Sequence, residues 1–503
     1  TGSLCGALRD YKVAYDTRGV FYLRIEDTDQ AREVSGTDVL VANELRTFRV
    51  APSEGYIDES HETGNYGPYK QSKRGEIYKT VIKDMVKRGL AYPCFCDEIE
   101  LDEVRKVQNA NKERTGYYGP YAKCRLLTPA KAIENIKNGM PYVVRFKSKG
   151  SHEISLPFHD EIKGDVTITQ NDMDIVILKR DGLPTYHFAH LVDDHFMRTT
   201  LVIRGEEWLP SLPIHLELFD AVGFPRVKYA HTPVIMKIGE NGNKRKLSKR
   251  HDPEAAVSYF LEQGYPTDAL IDYLYTVSDS SFEKWFLANP GVDTQEFKIN
   301  IANAASDGAL FDLEKIKNIS QTILSNKSGA ELTEEAYAWA QKYDVNLFKL
   351  ISSNPAYFTK IMAIEKDKHN PRKDYTTYGE MFEKVKFFYP DFYDEIYKAK
   401  ITFDYDQTLV NAVLKDFQTC SQPALSEEDW FDKCKESARK LGFAANKKEL
   451  KAEPDKYQYV VGTYMEIVRV ALTGRKNAPN LYYCLNIIDD KEINRRLKKN
   501  IKN

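Results

Sequence analysis

The hydrophobic pattern of this chain changes near residue 251, and that change constrains the fold more than any other feature. Before it, short apolar runs such as residues 20–23 alternate with segments of helical period such as 77–90. This alternation indicates parallel strands with intervening helices. After it, apolar residues recur at three- and four-residue spacing, as in 255–264 and 409–417, which indicates helices. We therefore predict an α/β first half and an almost wholly helical second half.

Other segments refine this division. Further strands are predicted at 142–146, 166–168, 175–178, 201–203 and 233–236. In the second half, 266–277 has helical period. Ser426, followed by three acidic residues, is a predicted helix start, because a hydroxyl caps free backbone amides and the helix dipole favours carboxylates there.

Composition narrows the class of protein. A chain of 503 residues exceeds one hydrophobic core, so several domains are expected. Residues are 42% apolar and 29% charged, as in globular proteins. No apolar stretch approaches the roughly 20 residues of a membrane span, the start has no secretory pattern, and seven cysteines are too sparse for a disulfide framework. We expect a cytoplasmic protein without a membrane segment.

Bulk charge says little about a nucleic-acid partner, because the formal net charge is only −2. Any such binding must use local basic surface. The C-terminal segment 494–502 carries five positive charges in nine residues. On its own, a terminal charge run of this kind is more often a solvated helix end, and we interpret it in that way.

A second basic run carries more information. Residues 244–250 place five cations and one hydroxyl within seven positions, after a Gly- and Asn-rich turn. Fixed Lys and Arg side chains stabilise charge that develops on a reacting phosphate, so the run suits a polyphosphate. The competing interpretation is a solvated basic loop, which composition alone favours.

An acidic cluster follows the first predicted strand. Residues 26–29 contain three carboxylates, directly after Arg24. Carboxylates at a strand end suit Mg²⁺, but the same residue types also form capped turns. On composition alone, the capped turn is the favoured interpretation.

The order of residues in these segments resembles one family. Residues 246–250, Lys-Leu-Ser-Lys-Arg, resemble the second signature of class I aminoacyl-tRNA synthetases, in the form typical of glutamyl enzymes. Residues 23–29, Leu-Arg-Ile-Glu-Asp-Thr-Asp, resemble a glutamyl-tRNA synthetase signature, and 182–195 and 202–209 resemble further blocks of that family. Residues 469–475 resemble the closing segment of bacterial-type glutamyl enzymes.

This resemblance implies an α/β Rossmann-type catalytic domain with an inserted α/β acceptor-binding domain, followed by all-α stem-contact and anticodon-binding domains. The catalytic domain would be split between residues 1–74 and 166–250, with the insertion at 75–165. The stem-contact domain would occupy 251–310, and the two helical anticodon-binding domains 311–375 and 376–503.

The resemblance also assigns site residues. It places Arg24, Glu26, Tyr186, His190 and Arg204 at the glutamate, with Glu26 at the amino group. It places Gly6, Glu207, Trp208, Ile235, Lys246, Ser248, Lys249 and Arg250 at ATP, with Lys246 and Lys249 as the catalytic cations. Arg204 suits the side-chain carboxylate, because a guanidinium donates two parallel hydrogen bonds to it, whereas an amide offers one acceptor oxygen. Taken singly, Tyr186 and Trp208 are more often packing residues, and many relatives differ at position 190.

The start of the chain departs from the family. The first class I signature should contain a histidine after Thr-Gly-x-Leu, but Cys5 follows Leu4 here, and the distance to the 23–24 strand is short. Either residues of the natural chain are absent from this sequence, or the chain is catalytically degraded. We favour the first explanation because the other blocks are intact.

A metal site is a further expectation. Cys94, Cys96 and Cys124 accompany tyrosines in the insertion, and thiolates are natural zinc ligands, although a closed site needs four donors. Some bacterial glutamyl enzymes resemble this pattern and bind zinc with a tyrosine, for which Tyr121 is the nearer match. The competing interpretation is a set of reduced free cysteines.

The implied function is the activation of L-glutamate with ATP and Mg²⁺, followed by transfer to tRNA(Glu), by an enzyme expected to be a monomer. In the family, activation commonly requires bound tRNA. Three alternatives stay open: a degraded tRNA-binding protein, a non-discriminating enzyme that also charges tRNA(Gln), and a glutamyl-queuosine-type paralogue. The long helical region argues against the paralogue, which resembles only the catalytic half.

Overall fold

A computed structural model describes residues 1–29, 36–289, 291–304, 308–420 and 425–502. Its strands are β1 (Tyr22–Leu23), β2 (Glu54–Asp58), β3 (His61–Thr63), β4 (Ala91–Cys94), β5 (Val143–Phe146), β6 (Ser155–Asp160), β7 (Gly164–Thr169), β8 (Val176–Leu178), β9 (Leu201–Gly205), β10 (Lys228–Thr232), β11 (Met236–Ile238), β12 (Lys244–Lys246), β13 (Phe443–Ala444) and β14 (Tyr459–Val460).

The helices of the first half are α1 (Gly2–Thr17), α2 (Thr37–Thr47), α3 (Gly75–Lys87), α4 (Glu98–Ala110), α5 (Pro129–Lys137), α6 (Tyr186–Phe196) and α7 (Leu212–Val222). Those that follow are α8 (Val257–Gln263), α9 (Thr267–Ser278), α10 (Phe282–Ala288), α11 (Leu313–Asn326), α12 (Gly329–Tyr343), α13 (Val345–Ser353), α14 (Pro355–Met362), α15 (Met381–Val385), α16 (Pro390–Lys398), α17 (Gln407–Cys420), α18 (Glu427–Lys440), α19 (Lys447–Ala452), α20 (Val461–Thr473), α21 (Leu481–Ile487) and α22 (Asp490–Asn500).

The chain divides into two compact units. The first contains Thr1–Val257 and Ile271–Asp312, and the second contains Ser258–Leu270 and Leu313–Asn503. This division agrees with the change in hydrophobic pattern near residue 251. The finer, five-domain division stays a prediction.

The first unit contains two parallel strand pairs. β1 pairs with β2, and β9 pairs with β10 in a register that sets Arg204 opposite His231. α6 and α7 pack together beside these strands, and their apolar side chains Phe188, Leu191 and Phe219 are fully buried. Burial of one such side chain contributes roughly 1.5–3 kcal/mol. The ends of β9 and β10 therefore lie on a rigid core.

The strands of the segment predicted as an insertion pair in antiparallel fashion. β4, β5 and β8 form one sheet, and β6 and β7 form a hairpin in which Ser155 pairs with Thr169. The predicted boundary between 165 and 166 falls within β7, and β8, beyond that boundary, pairs with β5 inside the insertion. Backbone pairing therefore continues across this boundary.

The predicted strand at 233–236 is wrong in position. β10 ends at Thr232 and β11 begins at Met236. Pro233 lies between them and lacks the N–H that a paired strand position requires. The other predicted strands correspond to β1, β5, β7, β8 and β9.

Among its described residues, the second unit is helical apart from the short parallel pair of β13 and β14. Its core contains Leu332, Phe358, Phe417, Tyr464 and Leu497, each with no exposed surface. α18 begins as expected, because the Ser426 hydroxyl accepts a hydrogen bond from the Asp429 amide.

The C-terminal basic run is only partly solvated. Arg496 is fully buried, where it donates to Glu492 and to the carbonyls of Phe387 and Leu472. Arg495 and Lys499 both pair with Asp394. The interpretation as a solvated helix end is therefore wrong for Arg496, which holds α22 in the core. Within the described residues, no helix has the length and apolar character needed to cross a membrane.

Candidate active site

Arg204 is the centre of the predicted glutamate pocket. Its Nε donates to Nε2 of His231 over 3.1 Å, and its Nη1 lies 3.1 Å from Nδ1 of His215. The guanidinium also lies over the Tyr229 ring, 4.7 Å from its centroid. β9 and β10 bring Arg204 and His231 together, and α7 supplies His215.

One edge of Arg204 has no partner. Its Nη2 is buried and makes no hydrogen bond within the described part of the chain. A buried donor without a partner costs about 1–3 kcal/mol, so such atoms point to a ligand or water. The free edge can donate two parallel hydrogen bonds, which is the arrangement that a carboxylate accepts.

Aromatic side chains surround this edge. Tyr186 lies at the start of α6, with its ring centroid 4.5 Å from that of Trp208 and 5.8 Å from that of His190. Burial and the carboxylate of Glu26 raise the pKa of Tyr186, while the charge of Arg204 and a hydrogen bond from its guanidinium to the Tyr186 hydroxyl lower it. Glu26 and Arg204 therefore both lie within electrostatic range of Tyr186, as the prediction of a shared glutamate pocket requires.

His190 belongs to a chain of polar contacts that ends at Glu26. Its Nε2 lies 2.9 Å from the Tyr229 hydroxyl, and its Nδ1 lies 2.9 Å from Asp194. Arg24 donates to Asp194 over 2.8 Å and to Glu26 over 2.9 Å. Burial would raise the pKa of Asp194, but His190 and Arg24 hold it well below its ordinary value. Arg24, predicted to bind glutamate, is thus occupied in orienting Glu26.

The basic run forms a hairpin beside this pocket. β11 and β12 pair with Met236 opposite Lys246, and the Leu247 amide donates to the Ile235 carbonyl over 2.9 Å. Lys246 is exposed and lies 3.2 Å from Glu207. Ser248 is half-buried, whereas Lys249 and Arg250 are exposed. We call residues 244–250 the lysine loop.

Asp252 anchors the lysine loop. Both of its oxygens accept from Arg245, over 2.6 and 2.7 Å, and one also accepts from the Ser248 amide over 2.9 Å. These hydrogen bonds hold the pKa of Asp252 well below its ordinary value. The loop backbone is therefore fixed while its lysines face solvent.

The start of the chain adjoins this loop. The Thr1 hydroxyl donates to the Glu254 carbonyl over 2.6 Å. Gly6 lies in α1, where an added Cβ would meet no atom within 4 Å, so the backbone is approachable there. Cys5, at the position where the family signature has histidine, is buried, with its Sγ 3.6 Å from the Ser278 hydroxyl.

The three insertion cysteines cluster as expected, but the predicted tyrosine is wrong. The sulfurs of Cys94, Cys96 and Cys124 lie within 4.8 Å of one another. The Tyr117 hydroxyl lies 3.5 Å from Cys94 and 3.3 Å from Cys96. Tyr121 instead donates to Glu113 at the exposed surface. The 3-10 turn at Gly119–Tyr121 separates Tyr121 from the thiols.

This cluster suits a metal by its donor set. Three buried thiols and one phenol supply four donors, the number that structural zinc requires. Hydrogen bonds from Cys124 and Cys96 lower the pKa of Cys94, so one thiolate is favoured.

Sequence reasoning missed the residues that hold the site together: Tyr117, Asp160, Asp194, His215, Tyr229, His231 and Asp252. Asp252 follows the lysine loop by two positions, and that spacing is a signal that could have found it. His215 and His231 lie 11 and 27 positions from Arg204, so only the fold reveals their contacts.

Comparisons with known protein families agree with this geometry. Residues 1–318 match a family described as "tRNA synthetases class I (E and Q), catalytic domain". Residues 331–501 match a family described as "Anticodon binding domain". Together, the two matches span both compact units.

Individual relatives extend along nearly the whole chain. It is 43% identical to a glutamate–tRNA ligase of Clostridium beijerinckii and 41% identical to one of Clostridium perfringens, each over 99% of this chain and 90% of the relative. A crystal structure of glutamate-tRNA synthetase from Elizabethkingia anophelis matches with a TM-score of 0.75 and 26% identity, over 100% of this chain and 97% of that one.

These matches confirm the predicted fold class and enzyme class, and they favour none of the alternatives. The anticodon-binding match also covers the region that the paralogue would lack. The roles of individual residues stay predictions. The chain belongs to the glutamate–tRNA ligase family of class I aminoacyl-tRNA synthetases.

Proposed function

We propose that this chain activates L-glutamate with ATP and transfers it to the 3′ end of tRNA(Glu), with Arg204 as the residue that recognises glutamate. The observation that carries this proposal is the buried, unpartnered Nη2 of Arg204. A side-chain carboxylate would satisfy that edge, whereas an amide would set a donor against a donor.

The other end of glutamate would meet Glu26. Its carboxylate is held by Arg24, and it would accept hydrogen bonds from the substrate's amino group. Tyr186 and His190 would form the wall between the two charged ends. The substrate's α-carboxylate is then left free to react.

ATP would occupy the space beside the lysine loop. Trp208, Glu207, Ile235 and Gly6 would border the nucleotide, while Ser248 and Arg250 would assist Lys246 and Lys249 at the phosphates. An α-carboxylate oxygen attacks the α-phosphorus, and the bond to the bridging oxygen breaks as pyrophosphate leaves. Lys246 and Lys249 stabilise the charge that develops. Mg²⁺ would neutralise charge on the phosphates.

In the second step, a hydroxyl of the terminal adenosine attacks the carbonyl of the adenylate and AMP leaves. The second unit would read the anticodon. We assign the reaction to the cytoplasm, to a monomer and to tRNA(Glu), and leave to experiment whether tRNA(Gln) is charged as well.

The experiment is aminoacylation of purified tRNA(Glu) and, separately, tRNA(Gln), with labelled glutamate, ATP and Mg²⁺. Charging of tRNA(Glu) alone supports the full proposal. Charging of both would make the enzyme non-discriminating, and charging of neither would favour a degraded tRNA-binding protein. Sedimentation of the same protein tests the monomer.

We extend the proposal to a structural zinc ion held by Cys94, Cys96, Cys124 and Tyr117. Metal analysis of the purified protein should find about one zinc per chain, and Cys96→Ser should lose it. Tyr117→Phe should weaken retention against a chelator, whereas the matched variant Tyr121→Phe should not. Equal retention in both tyrosine variants would remove Tyr117 from the ligand set.

A further inference from the structure

The contacts of Arg204 fix the protonation of its two histidine partners. A guanidinium has only donors, so Nε2 of His231 and Nδ1 of His215 must both accept. Each imidazole therefore carries its proton on the other nitrogen and is neutral. A proton on either accepting nitrogen would break the hydrogen bond and place a second cation beside Arg204.

Asp160 sets the state of His231. Its Oδ2 lies 2.6 Å from His231 Nδ1, and both side chains are fully buried. Its Oδ1 accepts from the backbone amides of Ile162, Lys163 and His231, over 3.0, 2.9 and 3.1 Å. Burial would raise the pKa of Asp160, but these hydrogen bonds, with that from His231, lower it to about 2. The carboxylate can only accept, so the proton of His231 stays on Nδ1.

The position of the proton on His215 is fixed in the same way. Its Nε2 lies 2.9 Å from Nδ1 of His187, and it donates there because its Nδ1 is committed to Arg204. Burial, with the nearby His190 and Arg204, lowers the pKa of His215 well below its ordinary value. The same three causes lower the pKa of His187 to about 4. The imidazoles of His215 and His187 are therefore neutral at physiological pH.

These contacts leave one orientation for the guanidinium. Of its five N–H groups, Nε–H is taken by His231 and one Nη1–H by His215. The Tyr229 ring covers one face. The second Nη1–H and the Nη2 group, which has no hydrogen bond within the described residues, are the donors that remain beside Tyr186. The guanidinium cannot turn without losing a hydrogen bond.

We infer that Asp160, His231 and His215 are positioning residues that make the pocket select glutamate over glutamine, by holding Arg204 with its Nη1–Nη2 edge toward the substrate. This inference rests on the proposed role of Arg204 in glutamate binding. Glutamine can satisfy only one donor of a fixed fork and sets its own N–H against the other. A fork that could rotate would tolerate that mismatch, so selectivity depends on the contacts that prevent rotation.

The sharpest test is Asp160→Asn, which changes one atom and the charge. Because three backbone amides occupy Oδ1, the asparagine would turn its NH₂ group toward His231 Nδ1. The imidazole would then carry its proton on Nε2 and point it at the Nε–H of Arg204. The KM for glutamate should rise about tenfold, while the KM for ATP and the inhibition constant of glutamine as a competitor stay within about twofold of wild type. ATP–pyrophosphate exchange with tRNA(Glu) present measures all three.

The matched control is Asp165→Asn on the same hairpin. Asp165 accepts from His159 over 2.7 Å, but this pair is exposed, whereas the side chain of Arg204 contacts His231 and His215. The Asp165→Asn variant should leave the KM for glutamate, the KM for ATP and the inhibition constant of glutamine unchanged. If Asp160→Asn leaves the KM for glutamate unchanged, or shifts the constants for glutamate and ATP equally, the inference is overturned.

A second pair of variants keeps the test independent of Asp160. His215→Asn retains an acceptor near the position of Nδ1 and should keep the selectivity for glutamate over glutamine. His215→Leu removes that acceptor and should lower this selectivity about tenfold. Equal behaviour of the two would overturn the inference. Arg204→Gln distinguishes the proposed glutamate contact from the positioning role of its neighbours. If Arg204→Gln raises the KM for glutamate but Asp160→Asn and His215→Leu do not, only the positioning role fails. If Arg204→Gln has no effect, the proposed glutamate contact itself fails.

Discussion

The proposed glutamate pocket and the lysine loop lie in the same unit but hold their cations in opposite ways. Arg204 is held inside the protein by hydrogen bonds to His231 and His215, and its buried Nη2 makes no hydrogen bond within the described residues. In the lysine loop, Asp252 fixes the backbone while Lys246 and Lys249 face solvent. The difference teaches that selection between similar substrates needs a rigid donor pair, whereas a polyphosphate can be met by exposed point charges.

The largest effect is expected from Lys249→Ala. Removal of a cation that stabilises developing charge should slow adenylation about 10²- to 10³-fold, with the melting temperature unchanged because the side chain is exposed. ATP–pyrophosphate exchange with tRNA(Glu) measures it. Lys244→Ala, in the same loop but outside the five-residue signature, is the control and should stay near wild type. Near-normal turnover by Lys249→Ala would remove Lys249 from catalysis.

Arg204→Gln should act on binding instead. The lost hydrogen bonds to a charged partner are worth ~2.7 kcal/mol, or about 100-fold in the KM for glutamate. The KM for ATP should change little. Lys228→Gln is a control on β10, because it removes an exposed cation that pairs with Glu161. A large fall in kcat with an unchanged KM would place Arg204 in the chemical step and break the comparison.

Arg245→Ala tests whether the loop needs its anchor. Asp252 would lose both hydrogen bonds from Arg245 while keeping Lys237 at 3.1 Å. Because Arg245 is partly exposed, the expected loss is modest, about tenfold in the KM for ATP. Arg226→Ala removes a similar pairing with Asp220 at the surface and should change nothing. An unchanged KM for ATP would mean that the loop holds its shape without Asp252.

The sequence singled out the lysine loop and Arg204 because a short continuous segment carries each of them, and their roles stay predictions. The helical second half also followed from its periodicity. It was a poor guide where partners are distant: Asp160 lies 71 positions from His231, and only the pairing of β9 with β10 and the adjacent hairpin brings them together. Tyr117 and Tyr121 are separated by one turn of the chain, and no sequence rule identifies which of them contacts the cysteines. Pro233 could have been excluded from a strand by its missing N–H.

The smallest expected effect is a pH dependence that His187, a partner of His215, contributes. Burial, with His190 and Arg204, lowers the pKa of His187 from 6.5 to about 4. Below pH 6.5 the unfolded chain therefore binds a proton at His187, whereas the folded chain does not. The stability that His187 contributes is complete above pH 6.5 and is lost as the pH falls toward 4.

Between pH 7 and 5.5, His187 alone should cost ~1 kcal/mol of unfolding free energy. Denaturant titration at both pH values measures the loss. His187→Asn keeps an acceptor for His215 but cannot titrate, so its loss should be smaller by that amount. His159→Asn is the control with opposite sign, since its exposed pair with Asp165 raises the pKa of His159, and it should not reduce the loss. If wild type and His187→Asn lose the same unfolding free energy between pH 7 and 5.5, keeping His187 neutral has no cost in stability. The rigidity of the pocket then has another source.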